Sequence, residues 1–232
     1  MADHPCEVNM TGIKRIAFTA RLAVAAMLCL WTASPVHAQA PSNPNLNAQL
    51  LVGARQADVA RVERTLAQGA APNSRNRLGK TALLIASEKG EVAIAERLLK
   101  AGADVNLASL EGVTPLMAAS YEGHAALVKR LLETGARTDP VDRMKKPAIV
   151  YAAGQGHAGV LVALIAAGVD VNTPYEHQLT PLMWAAGQGQ VDAVRLLLTR
   201  GARLELRDDR GLTALDIARQ AGQAAVLPLL GG

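Results

Sequence analysis

Gly154-Gln155-Gly156-His157-Ala158-Gly159 spells GxGxxG, a pattern that can bring a backbone close to a dinucleotide pyrophosphate. That chemistry needs a strand before the glycines and a long helix after them. Here a helical pattern precedes them, and Gly187-Gln188-Gly189 stands 33 residues later in the same context, so a turn between helices accounts for the glycines. His124 and His157 are the next candidates, as a pair of metal ligands. Equivalent residues on stacked helices stand about 10 Å apart, whereas each ligand of one zinc must come within about 2.1 Å of it. His177 has no evident second ligand, and no Ser/His/Asp set or carboxylate pair converges. Both cysteines, Cys6 and Cys29, fall near the N-terminus, outside the repetitive part of the chain. No catalytic residue, metal or cofactor is expected.

Aromatic residues give a stronger signal. They make up only 3% of the 232 residues, so their placement is informative. Tyr121, Tyr151 and Trp184 fall on one line of helix faces in consecutive units, and Tyr175 lies in an adjoining turn. Large, rigid side chains of this kind are typical contact anchors. Around them, Arg143, Met144, Lys146, Glu176 and His177 occupy two loop tips and are read as setting orientation and choice of partner. Arg143, Lys145 and Lys146 are the one local cluster of positive charge; the formal net charge is only +4. Without a continuous basic stripe, no nucleic-acid partner is expected.

The elements that hold these residues repeat. Thr81, Thr114, Thr180 and Thr213 keep a period of 33 residues, with a lapse at Pro147. Gly90, Gly123, Gly156, Gly189 and Gly222 keep it too, as do Gly69, Gly102, Gly135, Gly168 and Gly201. Thr114 suits a helix N-cap followed by Pro115, and Gly135 suits a left-handed residue after a second helix. Helices this short do not persist alone in water, so stacking must stabilise them. Leu116, Ala119, Leu127, Val128, Leu131 and Leu132 form one such apolar stripe, and Leu182, Ala185, Val191, Val194, Leu196 and Leu197 another.

With TPLMAA at Thr114 to Ala119 and TPLMWAA at Thr180 to Ala186, the chain resembles the ankyrin-repeat family over residues 46–232. The resemblance implies an all-α solenoid of about six helix-turn-helix units with β-hairpin-like finger turns, at residues 46–73, 76–106, 109–139, 142–172, 175–205 and 208–232. It also implies that a protein partner docks on the concave face and fingers, here in units three to five. The first unit is read as a cap. In the fourth, Lys145 replaces a turn glycine and a distorted hairpin is expected. In the sixth, Pro228 should shorten or kink the second helix.

Residues 1–38 read as a secretory signal, with Lys14, Arg15 and Arg21, an apolar run from Leu22 to Ala33, and the small-residue site Val36-His37-Ala38. Cleavage is expected after Ala38, with Ala40 as second choice, and Met10 is an alternative start. Residues 39–45 read as a flexible linker. The functional expectation is a non-enzymatic, monomeric interaction scaffold in the periplasm of a Gram-negative bacterium, without a membrane span after signal removal. A self-associating assembly protein, using Leu227, Leu229 and Leu230 of the incomplete last unit, is the alternative. An enzyme or small-ligand binder is the less favoured one.

Overall fold

The computed structural model describes residues 43–232. Among the described residues, eleven α-helices and the last of two 3-10 helices follow one another in six pairs, with the other 3-10 turn in a loop. They are α1 (Pro44–Arg55), α2 (Val59–Ala67), α3 (Ala82–Lys89), α4 (Val92–Lys100), α5 (Pro115–Glu122) and α6 (Ala125–Glu133). Then come α7 (Ala148–Gln155), α8 (Ala158–Ala166), α9 (Pro181–Gly187), α10 (Val191–Thr199) and α11 (Ala214–Gln220). Glu176–Gln178 and Ala224–Leu229 are the 3-10 helices. Each first helix packs on the first helix of the next pair, so α1, α3, α5, α7, α9 and α11 form one layer and the second helices another.

Local chemistry sets these boundaries. The Oγ1 atoms of Thr81, Thr114, Thr180 and Thr213 accept from the amides of Leu84, Met117, Met183 and Asp216 at 3.1, 3.2, 3.4 and 3.3 Å. Each cap satisfies an amide that the helix leaves unpaired. Pro147 offers no such cap, and α7 starts instead with Val150 and Tyr151 donating to the Pro147 carbonyl. Asn43 caps α1 by accepting from the Asn45 amide at 3.0 Å. The helix therefore starts at Pro44, inside the stretch read as a flexible linker, because an N-cap asparagine followed by proline is a helix start.

Gly90, Gly123 and Gly156 close the first helices of their pairs at φ 72°, 82° and 80°. A Cβ on Gly90 or Gly123 would come within 2.6 Å of the ring of His124 or His157. Those rings sit there because Nε2 of His124 bonds the Glu88 carbonyl at 3.3 Å, and that of His157 the Tyr121 carbonyl at 2.8 Å. Gln190 and Gln223 do the same to Gly154 and Gly187. The two histidines are thus staples between successive pairs.

A second staple runs along the other edge. Asn73, Asn106 and Asn172 accept from the amides of Asp104, Arg137 and Arg203 at 2.8 to 2.9 Å. Their amide groups donate to the carbonyls of Gly102, Gly135 and Gly201. Asp139 holds this register in the third unit and pairs with Arg137 instead, since a carboxylate has no proton to donate.

The core is leucine and alanine, with Leu83, Leu116, Ile149 and Leu182 from first helices and Leu98, Leu131, Leu164 and Leu197 from second helices fully or almost fully buried. Of the expected stripes, Leu132, Val191 and Leu196 are only partly buried. At the C-terminus, Leu230 is buried and Leu227 and Leu229 pack on the core, with Pro228 inside the last 3-10 helix.

Candidate functional site

The fourth finger is built on Asp142. Its Oδ1 accepts from the amides of Met144 at 3.0 Å and Lys146 at 2.9 Å, and its Oδ2 from the hydroxyl of Tyr151. Lys145 takes φ 57°, yet its amide still bonds the Asp142 carbonyl at 3.0 Å and the Asp142 amide bonds the Lys146 carbonyl. Asn76 makes the same loop in the second unit, through the amides of Leu78 and Lys80. The expected distortion of the fourth hairpin is therefore corrected: the short acceptor at its first position closes the loop, and lysine adopts the left-handed conformation there.

The loop fixes the aromatic residues. Burial, together with the bond to Asp142, pushes the Tyr151 hydroxyl far above the usual phenol range, so it stays a donor. The Tyr151 ring meets that of Tyr121 edge to face, with centroids 5.6 Å apart and planes at 83°. Lys146 turns inward, and its Nζ lies 4.3 Å from the Trp184 ring centroid, a cation–π contact. Tyr121, Lys146, Val150, Tyr151, Gly154, Gln155, Trp184 and Gln188 line an open groove of about 450 Å³. Its floor is empty at Gly154, where an added Cβ would meet nothing within 4 Å. The groove has no nucleophile–base pair and no facing carboxylates; it offers aromatic faces and side-chain amides, which suit recognition.

The sequence model of ankyrin repeats matches residues 50–143 and again 149–231. The chain belongs to the ankyrin-repeat family. The solved crystal structure of EF0377, an ankyrin repeat protein, is similar, with 27% identity and a TM-score of 0.72 over 80% of this chain and 97% of that one. No curated protein matches. Ankyrin repeats in general mediate contacts between proteins, and proteins built from them are typically non-enzymatic scaffolds.

Against this ankyrin frame, the expected site residues divide. Tyr121, Tyr151 and Trp184 come together in the groove, with Tyr121 the most open at 45% exposure and the other two half-buried. Tyr175 does not line it. It is half-buried at the base of the fifth finger, where burial and the nearby Asp170 raise its hydroxyl above the ordinary range. Arg143 and Met144 stay at the tip, with Arg143 paired to Glu111 at 3.1 Å and Met144 61% exposed. Glu176 and His177 are exposed, and His177 Nδ1 lies 2.8 Å from Asp209 Oδ2. Lys146 is not a tip residue, because its side chain lies on Trp184.

Asp142, which positions Tyr151, is not among the residues expected from the sequence. The signal was present: Asn76, Ser109, Asp142 and Asp208 put a short acceptor at the same point of four units. Among the described residues no three His, Cys, Asp or Glu side chains stand together as a metal site, and no helix is long and apolar enough to cross a membrane. The leader read over residues 1–38 lies outside the described residues.

Proposed function

We propose that this ankyrin protein is an exported, non-catalytic scaffold that captures a protein partner on the concave face and finger turns of units three to five. The observation that carries this reading is the groove. Aromatic side chains from three successive units line one open hollow, and two are held in place by partners of their own, Tyr151 by Asp142 and Trp184 by Lys146. Rigid aromatic anchors give contact area at a small entropic cost. Met144, Glu176 and His177 on the neighbouring tips are exposed and sit where they can select among partners. The leader-like residues 1–38 support the periplasm as the address.

Self-association through the last unit is the alternative reading; Leu230 is buried and Leu227 and Leu229 are partly buried against the core, which leaves that end less apolar surface than the sequence suggests and favours the groove. The test is affinity capture from the exported fraction with the mature chain as bait. Trp184→Ala combined with Tyr151→Ala should abolish capture of the partner while helix content is retained. Undiminished capture would overturn the reading, and so would a chain found in the cytosol with its first 38 residues intact.

A further inference from the structure

Among the described residues seven large apolar side chains are exposed, and four of them stand on three adjacent fingers. Leu78 is at the tip of finger two, Leu110 at that of finger three and Met144 at that of finger four, each more than 60% exposed, and Val141 leads into the fourth. Backbone bonds hold these tips together. The Leu110 amide donates to the Leu78 carbonyl at 3.1 Å, and the Arg143 amide to the Glu111 carbonyl at 2.9 Å. Leu110 also lies so close over Gly79 that an added Cβ there would meet its Cγ at 2.9 Å. The three fingers therefore form one continuous edge with apolar groups exposed along it. Charge on this edge has one sign once its internal pair is set aside. Arg143 is paired with Glu111, whereas Arg75, Arg77 and Lys145 are exposed and form no ion pair among the described residues. Fingers five and six differ, because Glu176, His177, Asp209 and Arg210 are exposed at their tips and no large apolar side chain is.

We propose that the edge formed by fingers two to four docks on the surface of a bilayer that contains anionic phospholipid. Leu78, Leu110 and Met144 enter the boundary between headgroups and acyl chains, and Arg75, Arg77 and Lys145 meet the lipid phosphates. An exposed apolar patch rimmed by charge marks an interaction surface, and two features make its occupant a bilayer. The apolar groups project singly from turns and are interleaved with cations. A protein would need a separate hollow for each tip and an anion between hollows, whereas a fluid bilayer offers acyl chains below and phosphates beside every point of contact. The second feature is geometric: three tips tied to one another define one plane, so all three reach a flat surface together. Attachment then adds small buried apolar areas to the attraction of unpaired cations for anionic lipid. Such a surface repels the carboxylate of Glu176, which confines contact to fingers two to four. Only Met144 belongs also to the residues proposed to choose the protein partner.

The test is cosedimentation of the chain from Gln39 onward, which holds the whole stack of helices, with vesicles of phosphatidylglycerol and phosphatidylcholine and with vesicles of phosphatidylcholine alone. Binding to the anionic vesicles is expected, and should fall about fivefold for each of Arg75→Gln, Arg77→Gln and Lys145→Gln at low salt. Leu78→Asn combined with Leu110→Asn should weaken it about tenfold or more, with helix content unchanged, since both side chains are exposed. Trp184→Ala combined with Tyr151→Ala alters the groove and leaves the edge intact, so that variant should bind vesicles as the unaltered chain does. No binding to anionic vesicles, equal binding to phosphatidylcholine alone, or undiminished binding by the two-leucine variant would overturn the proposal. So would loss of the protein partner by the two-leucine variant of a chain that ignores vesicles, which would make the edge a protein contact.

Discussion

Fingers four and five differ at their first residue, and much follows from it. Finger four opens on Asp142, whose carboxylate gathers two loop amides and the Tyr151 hydroxyl. Finger five opens on Tyr175, which has no short acceptor for the inner loop amides, so it is closed by backbone bonds alone, from the Tyr175 amide to the Leu179 carbonyl at 3.0 Å and from the Gln178 amide to the Tyr175 carbonyl at 2.9 Å. It contains a 3-10 turn with two consecutive non-glycine residues, His177 and Gln178, at φ 57° and 59°. The bond that ties each finger tip to the one before it runs from Leu110 to the Leu78 carbonyl, from Arg143 to Glu111 and from Asp209 to His177. Its counterpart from Glu176 to Met144 is absent among the described residues. The finger with the short polar side chain positions the groove, and the finger beside it is tied only to the one that follows, through Asp209.

Finger four is most vulnerable at Asp142. Asp142→Ala leaves two loop amides and a partly buried hydroxyl without their acceptor, and should cost about 2–3 kcal/mol in urea denaturation. Losing nothing would mean that the finger is held by other means. Tyr151→Phe removes only the bond to the carboxylate and should cost about 1–2 kcal/mol. The same variant keeps the ring against Tyr121, so binding in the groove should fall less than with Trp184→Ala.

Smaller effects sharpen the contrast. Lys145→Gly and Gln178→Gly each relieve a left-handed residue and should stabilise by about 0.5–1 kcal/mol in the same assay. The effects should add, since the two loops share no bond. Smallest in energy is the missing tie: in hydrogen exchange the Glu176 amide should be less protected than those of Arg143 and Asp209, which donate to neighbouring fingers.

The repeating frame is legible in the sequence wherever one residue type does one local job. Threonine caps and the inner glycines act within a few residues of themselves, so their period of 33 carries straight into the helix boundaries. The histidine staples are not legible in that way, because His124 and Gln190 look chemically different although both reach back to the preceding helix. Lys145 shows why a single rule misleads: its left-handed backbone is real, but Asp142 three residues earlier gathers the Met144 and Lys146 amides and the loop keeps its shape. The aromatic line of Tyr121, Tyr151 and Trp184 follows from helical spacing. The inward turn of Lys146 onto Trp184 depends on side-chain torsions that spacing does not encode.

Site-specific photo-crosslinking in the cells that express the protein shows whether the groove holds a partner. A benzophenone side chain at Gln155, on the rim of the groove, is compared with one at Ala126, exposed on the second-helix layer. A crosslink to a protein partner is expected from position 155 and none from position 126. A crosslink from 126 alone would contradict it.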